Sequence, residues 1–433
     1  MSIEEHFLEA IDLERKNKLA IGRFLGRRKL VHAVGIAPRY YGELLAWALK
    51  CFMEKEKWQI IHTLGYHGRE PVYIDVNTDY DQRENMLMDG QFLAKKGEDR
   101  VIVTVDINMR WRNSILVEGP AQKKEQIDSF IADLMTLVKD QNFYRGKKIE
   151  FGGRLRFLDL RNRSWESIIL DEVTKEEIKS NTIGFLSRKE IWVEYNIPLR
   201  RGVLLAGEPG TGKTIICKAL MSEAQGITCI TTSAYTLDAD EYLAELYELA
   251  EDLSPCLIFI EDIDLIGQNR EEFGYQRGSA LLSLLSILDG VEEKKEIVTV
   301  ATTNCLETLD KALSRRPSRF DRVIKLSLPS LEERKELIGL LCQKIPVDKM
   351  TQDYIAQKAE HCTPAQLQEI VFSLVIQNSD ELSGSRSTYL EVSKDGIDTI
   401  VSKVNGRNRH HIGFYIRDNH NGENLDLIGS RRL

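Results

Sequence analysis

Gly207-Glu208-Pro209-Gly210-Thr211-Gly212-Lys213-Thr214 reads G-x-x-x-x-G-K-T, a spacing whose residue types suit capture of a phosphate chain. Glycines let the backbone curl until successive N–H groups point into one concavity, a nest for an anion. An apolar run at 202–206 precedes the loop and a helical pattern at 215–220 follows it. This strand–loop–helix setting gives the string its meaning, and the helix adds the positive end of its dipole. In such a loop Lys213 reaches the β- and γ-phosphates while Thr214 holds Mg²⁺ through its hydroxyl. The residues predict a nucleoside triphosphate as ligand.

Two further stretches carry polar groups to the ends of apolar runs. Residues 256–260, C-L-I-F-I, lead into Glu261-Asp262. In phosphate-loop enzymes a strand there sets acids beside the metal and the attacking water. Residues 297–301 lead into Thr302-Thr303-Asn304, which would face the same crevice, since ligands lie at the carboxyl ends of strands in open α/β sheets. After them, 309–322 reads L-D-K-A-L-S-R-R-P-S-R-F-D-R and supplies a cluster of arginines.

These pieces in this order resemble the AAA+ ATPase module, specifically its AAA clade, over about residues 165–405. The resemblance implies ATP as the nucleotide and Mg²⁺ as its cation, with Gly207 to Thr214 as the binding loop. It implies that Thr214 and Glu261 hold the metal, Glu261 through water, and that Asp262 polarises the attacking water. Asn304 matches the clade's sensor residue. Arg316 and Arg319 match its arginine fingers, which reach the nucleotide of a neighbouring subunit. A guanidinium suits that work because it stays charged and hydrogen-bonds phosphate bidentately. Fingers acting across subunits imply a homo-oligomeric ring, a hexamer or heptamer.

Two departures from the clade's pattern stand out. The usual order at the strand end is Asp-Glu, and here it is Glu261-Asp262, so the water-polarising acid is one methylene shorter. One extra residue, Ser314 or Arg315, leaves Arg315 and Arg316 both eligible as first finger. The stretches 165–168 and 192–202 are similar to those of the mitochondrial Rieske-protein translocase and its bacterial relatives, a subgroup that also carries Glu-Asp here. The translocase's transmembrane helix has no counterpart in the first segment, so its membrane function is not carried over.

The elements that must position these residues fall into four segments. Residues 1–160 mix helical spacing (7–25, 41–53, 125–138) with strand patterns (72–76, 100–105, 114–118, 148–156) and predict an α+β domain, an adaptor or substrate domain. Residues 161–329 alternate strand and helix signals and predict an α/β fold, the AAA+ ATPase core with a mostly parallel sheet. Residues 330–405 predict a helical lid, with helices at 332–342, 352–360, 364–377 and 394–404. Thr363-Pro364-Ala365-Gln366-Leu367 matches the clade's stretch at a helix start near the adenine. Residues 406–433 form a polar tail.

Composition limits what such a protein does. A net charge of −8 argues against gripping nucleic acid or anionic membrane as the main activity, though basic patches lie at 23–29 and 407–411. Seven scattered cysteines with no C-x-x-C pair fit a reducing cytoplasm rather than a disulfide framework or zinc site. No apolar run reaches bilayer length. His62 and His67 lack further ligands at useful spacing and read as structural. The aromatic–apolar–glycine pore tripeptide of threading unfoldases is missing from 231–242, which leaves Tyr235, Tyr242, Phe273 and Tyr275 as the aromatics eligible to face a pore. The expected function is ATP-driven remodelling or translocation of a protein partner, its identity unknown. A nucleic-acid-remodelling ATPase and an assembly switch with little turnover are the alternatives.

Overall fold

The computed structural model describes residues 3–26, 28–107, 113–160, 164–238, 240–265, 295–307, 320–378 and 392–406. The chain divides into two compact units, Met1–Leu328 and Pro329–Leu433.

The first unit begins with α1 (Ile3–Leu25), β1 (Leu30–Ala37), α2 (Gly42–Lys55), β2 (Gln59–Leu64), β3 (Val72–Asn77), β4 (Arg83–Lys96), β5 (Asp99–Ile107), β6 (Asn113–Pro120) and α3 (Lys124–Asp140). The strands form an antiparallel sheet in the order β1-β6-β5-β4-β2, with β3 also paired to β4. Successive strand side chains point to opposite faces. Val101, Val103 and Val105 of β5 therefore join one core with Leu44, Leu45 and Leu49 of α2 and Phe130 and Leu134 of α3. Ile102, opposite Leu93 of β4, joins Leu25 of α1 in a separate cluster. Cover on both faces explains why β5 is buried without a break from Val101 to Val105, although Thr104 on the second face is polar and accepts from Gln91 Nε2 at 2.8 Å.

A second sheet follows, built from β7 (Lys148–Phe151), β8 (Leu155–Phe157), β9 (Arg200–Ala206), β10 (Thr228–Ser233), β11 (Cys256–Glu261), β12 (Ile297–Thr303) and β13 (Arg322–Lys325). Its order is β13-β9-β12-β11-β10-β7-β8, parallel throughout except for the β7–β8 hairpin at one edge. The chain also forms α4 (Glu172–Asn181), α5 (Ile183–Leu186), α6 (Lys189–Glu194), α7 (Lys213–Glu223) and α8 (Asp240–Asp252). Cys256, Ile258 and Ile260 of β11 pack with Leu246 and Tyr247 of α8. Leu257 and Phe259 pack on the other face with Ile216 and Leu220 of α7 and with Trp165 and Phe185.

The strand expected at 148–156 was grouped with the first segment. It is two strands, and they extend the second sheet. Gly152-Gly153 turns the chain, with Gly153 in a left-handed conformation (φ +83°). The Lys148 ammonium donates to the carbonyls of Ala224 and Ile227, and Thr232 donates to Phe151 O at 3.0 Å.

The two sheets share a core. Tyr40, Tyr41 and Tyr144 from the first segment pack in one cluster with Phe151, Leu243, Leu246 and Tyr247. At the same junction Arg39 Nε donates to Glu245 Oε2 of α8 at 2.8 Å, and its guanidinium lies 4.0 Å from the Tyr242 ring centre. Both charged side chains are largely withdrawn from water, 13% and 23% exposed.

In the second unit, helices Leu331–Leu341, Lys349–Lys358, Pro364–Gln377 and Lys394–Gly406 pack Ile338, Ile355, Leu367, Ile370, Leu374 and Ile400 together. Capping boxes open two of them, Ser330 with Glu333 and Thr363 with Gln366, the latter with Pro364 in the first turn. Proline is tolerated there because its missing N–H has no partner within the helix.

Candidate active site

Strands β9, β11 and β12 lie side by side and parallel, so their carboxyl ends open on one crevice. Val203, Leu204 and Leu205 are fully buried, which fixes where β9 ends and the Gly207 loop begins. A side chain at Gly207 would place its Cβ 2.8 Å from the carbonyl oxygen of Leu326. Gly210 and Gly212 sit at φ +85° and +94°, conformations that disfavour any residue with a Cβ. Gly212 precedes the first residue of α7, so the N–H groups of that helix end face the loop.

Lys213 is buried, and its ammonium donates to Gly207 O at 2.7 Å and Glu208 O at 3.1 Å. Burial pushes its pKa below the usual lysine value, while the charges of Asp262 and Asp264 oppose that fall. Thr211 ties the loop by donating to Glu208 O at 2.8 Å. Thr214 Oγ1 donates to Glu261 Oε2 at 3.3 Å, so the hydroxyl and carboxylate share one point. Burial raises the Glu261 pKa, and the Lys218 charge and the Thr214 hydrogen bond pull it back. The residues fit the Mg²⁺ nucleotide: a loop closed to larger side chains, a buried cation, and a hydroxyl–carboxylate pair of hard oxygen donors.

Asp262 has a left-handed backbone, φ +54°. Non-glycine residues rarely adopt it, and they persist there only when the surroundings fix them. Its N–H donates to Thr302 Oγ1 at 3.0 Å, and its Oδ1 accepts from Asn304 Nδ2 at 2.9 Å. The end of β11 and the end of β12 are thus joined through the two residues expected to orient water. Asp264 stands in the same network, accepting from Thr303 Oγ1 at 2.8 Å and from the Asn304 N–H at 3.2 Å. Sequence reading passed over Asp264. The repeat of an acid two residues after Asp262, directly behind an apolar strand, was the available signal.

The structure therefore brings together Gly207 to Thr214, Glu261, Asp262 and Asn304. Arg315, Arg316 and Arg319 lie outside the described residues, as do Phe273 and Tyr275. Just beyond the arginines, Phe320 is buried and Asp321 Oδ2 accepts from the Gly202 N–H at 2.7 Å, which ties the end of that segment to β9. Tyr235 is 77% exposed past the end of β10. Tyr242 instead packs under Arg39 and edge-on to Phe151. His67 sits in a turn at φ +51° against the Tyr66 ring, and no metal-binding cluster occurs among the described residues. No described helix is long and apolar enough to cross a membrane.

Comparison with known proteins converges on the same region. The family model for the ATPase family associated with various cellular activities (AAA) matches residues 203–328. An ATP-dependent zinc metalloprotease FtsH 1 of Alkaliphilus metalliredigens is 33% identical over 225 residues, 49% of this chain and 38% of that protein. A cell division cycle protein 48 homolog of Archaeoglobus fulgidus is 31% identical over 255 residues, 50% of this chain and 35% of its own. The proteasome-activating nucleotidase of Sulfurisphaera tokodaii is 34% identical over 197 residues, 43% of this chain and 50% of its own. The chain spans half or less of the length of these relatives. Phosphate loop, acidic strand end and family match coincide, and residues 203–328 of this chain are an AAA ATPase domain.

Proposed function

We propose that this protein hydrolyses ATP with Mg²⁺ and couples turnover to remodelling or translocation of a protein partner. One observation carries the hydrolytic part: Lys213, Thr214, Glu261, Asp262 and Asn304 meet at the carboxyl ends of three adjacent strands. Lys213 and the amides of the loop bind the phosphates. Thr214 and Glu261 are the donors for Mg²⁺, which when bound neutralises charge on the phosphate oxygens. Asp262 accepts the proton side of the attacking water, and Asn304 holds that carboxylate in place. Because Asn304 already bonds Asp262, the shorter side chain is steadied in the position where the clade carries glutamate.

Arg316 and Arg319, with Arg315 as the alternative first finger, complete the site of the next copy in a homo-oligomeric ring. Residues 1–160 serve as the adaptor or substrate domain, residues 330–405 as the lid that moves against the ATPase core, and the protein works in the cytoplasm. The Glu261-Asp262 order favours the Rieske-translocase-like subgroup. Similarity to a proteasome-activating nucleotidase and to an ATP-dependent zinc metalloprotease supports a polypeptide client.

The test is steady-state ATP turnover of Asp262→Asn. Loss of a positioned general base lowers kcat by about 100-fold or more, with ATP binding retained. Turnover equal to the wild type sinks the assignment of Asp262. Stimulation by single-stranded nucleic acid, with a steep salt dependence and none by polypeptide, sinks the protein-client reading.

A further inference from the structure

Asp264 is the acid of the site that the hydrolytic scheme leaves without a task. It lies on a 3-10 turn, Ile263–Leu265, directly after Asp262. The turn is pinned by Ile263, which is fully buried, and closed by the Leu265 N–H donating to Asp262 O at 2.9 Å. From there one oxygen, Oδ1, accepts from the Thr303 hydroxyl at 2.8 Å and from the Asn304 backbone N–H at 3.2 Å. It thereby holds the last residue of β12 and the residue after it. Asn304 sends its carboxamide back to Asp262 at 2.9 Å, and the Asp262 N–H returns to Thr302 at 3.0 Å. These bonds form a closed circuit between two strand ends.

The circuit matters because packing does not hold Asn304: its side chain is exposed. Its place is set by the backbone it hangs from, and Asp264 is what anchors that backbone. Thr303 is wholly buried, and without Asp264 its hydroxyl would lose the acceptor it points at, a costly state for a buried donor. Thr303 also links the circuit to the phosphate loop, since its carbonyl accepts the Gly207 N–H at 3.3 Å.

We infer that Asp264 is a positioning residue of the hydrolysis, acting through Asn304 by hydrogen bonding and not by contact with the nucleotide. The inference rests on the hydrolytic reading above. A small misplacement of a water-orienting group costs rate far more than it costs binding.

Asp264→Ala is expected to lower kcat by about 10-fold or more while the Kd for ATP stays within about twofold. Asp264→Asn keeps a carbonyl oxygen able to accept both bonds and is expected to retain kcat within about threefold. In an Asn304→Ala background, Asp264→Ala is expected to add no further loss, since the group it positions is gone. Wild-type kcat in Asp264→Ala overturns the inference, and so does a double variant whose losses multiply. Equal damage in Asp264→Asn and Asp264→Ala overturns it too, because charge and not hydrogen bonding would then be at work. Should Asp264→Ala fail to fold, Thr303→Val carries the test: it removes the shorter bond and keeps the volume, and must lower kcat by about threefold. Unchanged kcat there is equally fatal. A wild type with no Mg-dependent ATP turnover overturns the hydrolytic reading and this inference with it. A wild type that turns over while Asp264→Ala matches it overturns this inference alone.

Discussion

Lys213 holds a charge in a place that does not favour one. Its ammonium is buried against two backbone carbonyls, and burial lowers its pKa against the pull of Asp262 and Asp264. Replacing a buried cation by an apolar side chain of similar length is often neutral or stabilising. Lys213→Met is therefore expected to abolish ATP binding while raising unfolding free energy by about 1 kcal/mol, read by urea denaturation. A variant that loses both binding and stability contradicts this account of the lysine.

Glu261 gives the site a pH limb. Burial raises its pKa above the ordinary glutamate value, so it takes up its proton at a higher pH than a solvated glutamate would. A protonated carboxyl cannot hold a cation, so in its proposed role Glu261 is expected to weaken Mg²⁺ affinity on acidification, beginning at a higher pH than a solvated glutamate would. The sign for folding is opposite. With the folded pKa raised, ionised Glu261 costs stability at high pH, and the cost is relieved as pH falls through that pKa. Mg²⁺ titrations at falling pH, with Glu261→Gln as the flat control, check the direction.

The loop residues, Glu261, Asp262 and Asn304 were legible because each sits in a local pattern: a glycine spacing, or a polar group ending an apolar run. For Asp264 local spacing offers only a second acid behind the same strand; its task depends on Thr303 and Asn304, which the alignment of β11 with β12 brings to it.

Among the elements, β11 shows how cover on two faces erases alternation: a continuous apolar run ending in acids marks it, whereas β5 keeps Thr104 and Asp106 between its apolar residues. Strands β1, β2 and β4 were missed. β4 reads R-E-N-M-L-M-D-G-Q-F-L-A-K-K, with no β-branched residue and a glycine near its middle, so propensity points away from the strand that pairing enforces. The helices of the second unit were read nearly to their ends, since caps are local chemistry. Thr363 accepts the Gln366 N–H, and Gln366 returns a bond to the Thr363 N–H. Thr363→Ala is expected to destabilise the second unit by about 1 kcal/mol, seen as a lower denaturation midpoint.

For the whole molecule, helix and strand patterning places a boundary near residue 160, yet the hairpin at 148–157 belongs to the ATPase sheet and one core runs through both sheets. A boundary of that kind is invisible to composition, because the residues that cross it are as apolar as those on either side. Arg39 and Glu245 form an ion pair across the junction. Arg39→Ala removes the ion pair and the stacking on Tyr242, and is expected to cost about 2 kcal/mol, with Arg39→Lys recovering only part. The first unit should still unfold in one transition. Separate melting of residues 1–140 and the ATPase sheet counts against a shared core.

That junction also decides where movement can arise. Helix α8, clamped by Arg39, starts just after the exposed Tyr235 and packs on β11, whose end carries Glu261. The first sheet is in effect a handle welded to the blade. Whatever binds the first sheet would move with the nucleotide site of the same chain, without slack, so any motion driven from that site has to arise elsewhere than between these two sheets.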